Sequence, residues 1–298
     1  MNEYIAALVD EFAQLGITYA VFSPGSRSTT MAMLFREHGA FETYMNIDER
    51  SAGFMALGIA KAHRKPVILV CTSGSAVAHY MPAVLEAQYS GVPLIILSAD
   101  RPHTLQHVGA PQTVDQQKLF GTAVNYYEEL AVPQQDHYYT YPRLVARKAY
   151  MKSMDVKRGP VHINVPLFEP LVPELDRKYF ECGRHPFSVV PAAIQPGDAC
   201  TIYDLLANKK VLILAGPSTN LEDANAILGL SNIFNAPILG DPLSICVVFM
   251  MNESLHLMMH CFHKRCIEIH CDQIAFYRLV RWSYLNAFSS GWHQCNIH

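Results

Sequence analysis

Charge is scarce in this sequence. Lys, Arg, Asp and Glu together make up 16% of its 298 residues, the formal net charge is −3, and no dense Lys/Arg run occurs. A chain without a basic surface lacks the attraction that binding to nucleic-acid backbones or anionic membranes requires, so nucleic acid is not an expected partner. Long apolar runs are missing as well. Stretches such as Val92 to Ala99 and Val211 to Ala215 fall far short of the roughly 20 residues a bilayer-spanning helix needs, and no membrane insertion is expected. The first residues have neither a basic n-region nor an apolar h-region. Instead Glu3, Asp10 and Glu11 alternate with Ile5, Leu8, Val9 and Phe12 over Met1 to Phe12, an amphipathic helix pattern rather than a secretory signal, and the expected location is the cytoplasm. The eight cysteines form no repeated framework and read as free thiols of a reducing compartment.

Half of the residues are hydrophobic, enough to bury a large core over a length that accommodates two domains. Short β-rich runs alternate with helical patterns: strands at Tyr19 to Phe22, Thr43 to Ile47, Val67 to Cys71, Leu94 to Leu97 and Val161 to Val165. Helices are expected from about Ser28, from Glu49, over Ser75 to Ser90 and over Tyr141 to Met154. This rhythm predicts an α/β fold on a parallel sheet, and the uniformly apolar strands predict helices on both faces. Residues 1–180 form the first domain in this reading. The proline-rich stretch 181–197 is a linker, and 198–244 opens a second α/β domain with a strand at Val211 to Ala215, a Gly216-Pro217-Ser218 turn, a helix at Leu221 to Leu228 and a strand at Ala236 to Leu239.

Residues 245–298 are a tail of different composition. All 18 prolines lie at or before Pro242, whereas both tryptophans, five of eight cysteines and six of 14 histidines lie from Cys246 onward. The tail shows no clean period and reads as atypical, with a shifted reading frame as one explanation. Cys261, His263, Cys266, His270 and Cys271 crowd together in it, but their spacing matches no standard zinc pattern.

The chemistry is concentrated at strand ends. Ser23-Pro24-Gly25-Ser26-Arg27-Ser28 follows the first strand and precedes a helix, where free N–H groups receive anions, although a Pro-Gly turn with a serine cap gives the same residues. Asp48-Glu49-Arg50 follows the second strand; the acids also fit a helix dipole. Gly53 and Gly58 in the following helix each cost about 1 kcal/mol relative to alanine, so a close neighbour is expected on their face. Thr72-Ser73-Gly74-Ser75 follows the third strand and Ala99-Asp100-Arg101-Pro102 the fourth, with a surface ion pair as the plain alternative for Arg101. Four such loops on one edge of a parallel sheet describe a ligand-binding rim. No Gly-x-Gly-x-x-Gly follows the first strand, which argues against a dinucleotide site.

Taken in order, SPGSRST at 23–29, DERSAGFMALGIAKA at 48–62, TSGSAVAHYMPAVLEA at 72–87, SADRP at 98–102 and GAPQTVDQ at 109–116 resemble the 2-succinyl-5-enolpyruvyl-6-hydroxy-3-cyclohexene-1-carboxylate synthases of menaquinone biosynthesis. The resemblance runs over roughly residues 1–244. It departs at Thr30 and Ser75, where the family usually carries proline and threonine. It implies that residues 1–180 are the pyrimidine-binding domain of a thiamine-diphosphate enzyme, that 198–244 begin its central domain, and that the diphosphate-binding domain lies outside these residues. No Gly-Asp-Gly, the motif that holds Mg²⁺ and the diphosphate in the superfamily, occurs in the sequence.

By the same resemblance Glu49 is the catalytic acid that shares a proton with the cofactor's aminopyrimidine ring. Pro24, Gly25, Thr72, Ser73 and Gly74 line the ring, while Ser26, Arg27, Arg101 and Gln112 face the substrates. Those implied substrates are 2-oxoglutarate and isochorismate, both polycarboxylates that suit the two-pronged donors of arginine. No residue of the chain is an expected metal ligand. The resemblance also implies a homo-oligomer, and a truncated chain that is inactive alone for lack of the diphosphate domain. Two further readings stand beside it: a non-catalytic remnant, and the pyrimidine-domain subunit of another thiamine-diphosphate decarboxylase or synthase.

Overall fold

The computed structural model describes residues 2–133, 139–185, 203–216, 221–241, 244 and 273–277. The chain divides into two compact units, Met1–Val189 and Val190–His298. Residues 181–185, expected in a linker, are packed on the first unit. The linker prolines Pro186, Pro191 and Pro196 and the cysteine- and histidine-rich cluster of the tail lie outside the described residues.

In the first unit six parallel strands stand in the order β2-β1-β3-β4-β6-β5. They are β1 (Tyr19–Phe22), β2 (Glu42–Met45), β3 (Val67–Cys71), β4 (Leu94–Asp100), β5 (Tyr126–Glu129) and β6 (Val161–Pro166). The helices are α1 (Asn2–Gln14), α2 (Thr29–His38), α3 (Glu49–His63), α4 (Ser75–Ala78), α5 (Met81–Ser90) and α6 (Thr140–Ser153). Side chains of a strand point alternately to its two faces. Ala20, Phe22, Ile68, Val70, Ile95 and Leu97 accordingly pack with α1, α2 and α6. Val21, Leu69, Cys71, Leu94 and Ile96 pack with α3 and α5 on the other face.

The expectation of apolar strands covered on both faces holds for β1, β3, β4 and β6. It does not hold at the edges. In β2 no residue is fully buried, and Ile47, expected at the end of that strand, lies beyond it and is exposed. β5 was not read from the sequence at all: its Tyr-Tyr-Glu-Glu run is half-buried at the opposite edge, where acidic residues also discourage further pairing.

Two helices differ from expectation for local reasons. The stretch from Ser75 to Ser90 is two helices, because Pro82 has no N–H to continue a ladder and instead occupies the first turn of α5. In α1 Asp10 and Glu11, expected on a solvent face, are buried, because α6 and residues 177–185 cover them. Arg143 donates to Asp10 at 2.7 Å and to Glu11 at 3.0 Å, Arg184 donates to Asp10 at 2.5 Å, and Arg147 donates to Glu11 at 2.5 Å. Burial alone would raise the proton affinity of Asp10, but hydrogen bonds from His38, Arg184 and Arg143 outweigh it and hold the carboxyl well below the usual range.

In the second unit β7 (Val211–Ala215) pairs in parallel with β8 (Ile238–Gly240) and with β9 (Gln273–Tyr277), while α7 (Leu221–Phe234) packs Ala224 and Ile227 on this sheet. β9 is the one described segment of the tail, and its backbone pairing was not anticipated.

Candidate functional site

All six strands of the first unit run the same way, so the loops after β1, β2, β3 and β4 share one edge of the sheet. The chain steps from β1 outward to β2 and then returns to the other side of β1 to form β3. Open α/β sheets bind ligands at such a reversal, beyond the carboxyl ends of the strands. Here the reversal lies between the loop at 23–28 and the loop at 72–74.

These loops touch closely. A Cβ built on Gly25 would lie 2.3 Å from Thr72 Cβ, so the space itself requires glycine. Tyr80, at the N-cap of α5 and wholly buried, braces the same junction: its hydroxyl donates to the Val70 carbonyl at 3.0 Å and meets Ser23 Oγ at 3.1 Å. Gly53 of α3 fits this arrangement, since a Cβ there would press on Ala83 at 3.0 Å and Tyr80 at 3.4 Å. Gly58 does not repeat the pattern. Nothing approaches it within 4 Å, and the close neighbour expected for it is absent among the described residues.

Glu49 is the first residue of α3, after Asp48, whose side chain caps the helix by accepting from Arg50 N at 2.9 Å. The Glu49 carboxylate is half-buried and has no hydrogen-bond or ion-pair partner among the described residues. Its charge reaches the β3 end: burial, and after it the field of Glu49, pushes the Cys71 thiol above its usual range.

The other residues form a hydrogen-bonded set. Arg101, only 9% exposed, donates through Nη1 to Ser73 Oγ and to the Gln112 carbonyl at 2.7 Å. Gln112 donates through Nε2 to the Ser73 carbonyl at 2.9 Å. Gly74, with φ of 86°, packs its α-carbon against Gln112, where a Cβ would lie 2.8 Å from Cγ. Arg101 is thus no surface ion pair. Asp100 instead accepts from the Arg101 backbone N–H at 2.7 Å.

Arg27 is also buried. Its Nη1 donates to the Leu167 carbonyl at 3.1 Å, its Nη2 pairs with Glu169 at 3.3 Å, and its buried Nε has no hydrogen-bond partner. Burial first, and then the positive charge of Arg27, draws the proton affinity of Arg101 below the usual arginine range. Two guanidiniums held in each other's field make a site that an anion would stabilise. Pro24 and Ser26 are exposed in the first loop. Ser26 takes no part in the hydrogen-bonded set.

Three residues that the sequence reading passed over belong to this construction: Tyr80, Gln116 and Asn164. Asn164 carried a readable signal, a polar side chain inside the otherwise apolar run Val-His-Ile-Asn-Val at 161–165, whereas Gln116 lies in a polar stretch and carried none. Among the described residues no group of three or more His, Cys, Asp or Glu side chains is arranged to hold a metal ion, and no helix is long and apolar enough to cross a membrane.

The parallel sheet is similar to that of thiamine-diphosphate enzymes. Residues 3–119 match the family described as thiamine pyrophosphate enzyme, N-terminal TPP binding domain. Among solved structures, benzoylformate decarboxylase from Polynucleobacter necessarius superposes with a TM-score of 0.61 at 22% identity, over 80% of this chain and 43% of its own. A thiamine-diphosphate-dependent 4-hydroxybenzoylformate decarboxylase from Rhodococcus jostii RHA1 gives 0.63 at 19% identity, over 80% and 44%. These two establish the fold alone.

Sequence relatives narrow the class. The chain is 53% identical over 246 residues to 2-succinyl-5-enolpyruvyl-6-hydroxy-3-cyclohexene-1-carboxylate synthase of Lactococcus lactis subsp. cremoris, covering 82% of this chain and 44% of that protein. It is 49% identical over 265 residues to the synthase of the same name from Desulfitobacterium hafniense, covering 88% and 47%. The aligned part of the chain is similar to these synthases, and the chain spans less than half the length of the curated relatives it matches.

Proposed function

We propose that these residues form the pyrimidine-binding side of the active site of a synthase that decarboxylates 2-oxoglutarate and joins the remaining four-carbon unit to isochorismate in menaquinone biosynthesis. The observation that carries the reading is the pair of buried guanidiniums of Arg27 and Arg101 at the strand-order reversal, the first with an unpartnered Nε. Both substrates are polycarboxylates, and planar two-pronged donors match them.

In this reading Glu49 holds a proton at the aminopyrimidine ring nitrogen of thiamine diphosphate, and Pro24, Gly25, Thr72, Ser73 and Gly74 line the ring. When bound, the cofactor supplies the nucleophilic carbon that attacks a keto group. Ser26, Arg27, Arg101 and Gln112 orient substrate carboxylates and hydroxyls. The diphosphate and Mg²⁺ are assigned to a segment bearing Gly-Asp-Gly, which these 298 residues do not contain, so the chain by itself is proposed to be inactive. The domain reading follows: 1–180 for the pyrimidine, 181–197 as connection, 198–244 as the start of a central domain, and 245–298 as an atypical tail.

We assign the protein to the cytoplasm as a homo-oligomer. Phe54, Leu85 and Tyr89 are exposed apolar side chains on the α3–α5 face, which supports a covered surface there.

Titration of isochorismate into the ¹⁵N-labelled chain tests the substrate reading. It should shift the Nε–H signals of Arg27 and Arg101, and Arg27→Ala or Arg101→Ala should weaken binding at least about tenfold, the loss of one charge-assisted hydrogen bond. Shifts confined to other surfaces would remove isochorismate from this site.

A further inference from the structure

Of the GAPQTVDQ stretch, Gln112 belongs to the site directly, whereas Gln116 lies beneath it. Gln116 is 1% exposed and fully bonded. Its Oε1 accepts from the Gly74 backbone N–H at 2.8 Å, and its Nε2 donates to the Ala99 carbonyl at 3.2 Å and to Asn164 Oδ1 at 2.9 Å. Asn164, wholly buried on β6, also accepts from Ser98 Oγ at 2.8 Å and donates to Asp100 Oδ2 at 2.8 Å. Asp100 then receives the Arg101 N–H. Because Arg101 Nη1 returns to Ser73, the residue before Gly74, the bonds close a ring. Gly74, Gln116, Asn164, Asp100, Arg101 and Ser73 are its members.

The ring fixes one orientation for each amide. Turning the Gln116 carboxamide over would set its NH₂ against the Gly74 N–H and its oxygen against two acceptors, leaving buried groups unpaired. The ring spans β3, β4 and β6, so it sets the loop at 72–74 relative to the loop at 99–101. We propose that Gln116, held by Asn164, is the positioning residue that keeps the Gly74 N–H and the Arg101 guanidinium in register at the anion site. Gln116 itself touches no ligand in this account. The proposal rests on the reading that Arg27 and Arg101 receive a carboxylate, and its test separates the two.

The full 298-residue chain, ¹⁵N-labelled, is compared with Gln116→Leu, which keeps a similar volume and removes all three bonds. Hydrogen exchange at Gly74 should accelerate about tenfold or more and the Arg101 Nε–H signal should move, while exchange in α1 and α6 stays as in the parent. Isochorismate should bind about tenfold more weakly. If Gly74 and Arg101 respond but the parent never binds isochorismate, the substrate reading fails and the positioning role stands. If both signals stay at their parent positions in the folded variant, the positioning role is overturned whatever the anion does.

Gln116→Glu provides a second measurement should the leucine variant not fold. The new carboxyl would meet the Gly74 N–H, the Ala99 carbonyl and Asn164, and through Asn164 the carboxylates of Asp100 on β4 and Glu129 on β5. Burial raises a carboxyl's pKa above its reference of about 4.3, so about pH 5 favours the acid form, which can still accept from Gly74 and donate to Asn164; ionised at about pH 8, it has no donor for Asn164 or Ala99. Parent-like Gly74 and Arg101 signals at the lower pH and displaced ones at the higher are expected. Signals that match the parent at both pH values would overturn the proposal.

Discussion

His162 is a histidine placed where ionisation is costly. It sits wholly buried on β6, with Nε2 2.7 Å from Ser98 Oγ and its ring against Phe120 and Tyr127. Burial draws its pKa down from 6.5 to about 3. Between those values the unfolded chain binds the proton and the folded chain does not, so this residue makes stability fall as pH drops from 6.5 toward 3. The slope is at most about 1.4 kcal/mol per pH unit. Asp100 works in the opposite sense, because burial raises its proton affinity in the folded state. Comparing parent with His162→Gln in urea unfolding cancels the Asp100 contribution. The parent should lose stability relative to the variant on acidification through this window. Parallel pH curves would show that His162 titrates in the fold as it does in water.

At the scale of elements, the site depends on how closely two loops approach. Gly25 is extended, with φ of 173°, so its need for glycine comes from space rather than from backbone conformation. All three atoms that would crowd a Cβ belong to the Thr72 side chain. Gly25→Ala should therefore destabilise the first unit by about 1–3 kcal/mol, the range for overpacking. Thr72→Gly in the same chain should recover most of that loss, a coupling readable in a double-mutant cycle of urea unfolding. Simple additivity of the two substitutions would mean the strain lies elsewhere.

The interior elements were legible in the sequence because apolar periodicity reports burial, and β1, β3, β4 and β6 are buried. β5 and the β2 boundaries were not, since edge strands expose one side and carry polar residues. The buried face of α1 was hidden for another reason. Its acids look like solvent-facing residues until Arg143, more than 130 positions away, is brought against them. The site followed the same division. Loops at strand ends were visible as local Gly, Ser and Arg clusters, and the parallel topology was enough to gather them. The ring around Gln116 was not visible, because Gly74, Gln116 and Asn164 are separated by more than 40 residues at each step.

For the molecule as a whole, the decisive question is how much of the cofactor these residues can hold. On the proposed reading they contribute Glu49 and the surfaces around an aminopyrimidine ring, a neutral heterocycle that offers hydrogen bonds and modest apolar area. The negative charge of thiamine diphosphate lies in its diphosphate, and Mg²⁺ gains most of its affinity through phosphate oxygens and carboxylates together. A half-site must also meet the whole entropic cost of immobilising the ligand with only part of the contacts. Calorimetry of the 298-residue chain with thiamine diphosphate and Mg²⁺ should therefore give a dissociation constant weaker than about 1 mM, equivalent to less than about 4 kcal/mol. Removing Mg²⁺ should leave the heat unchanged. Saturable micromolar binding that disappears on chelation would show instead that this chain carries its own diphosphate and metal site, and the division of labour argued from the missing Gly-Asp-Gly would fail. The same experiment with Glu49→Gln separates the two ends of the cofactor. A weak parent signal lost in the variant places the ring at Glu49, whereas an unaffected signal removes Glu49 from the cofactor site.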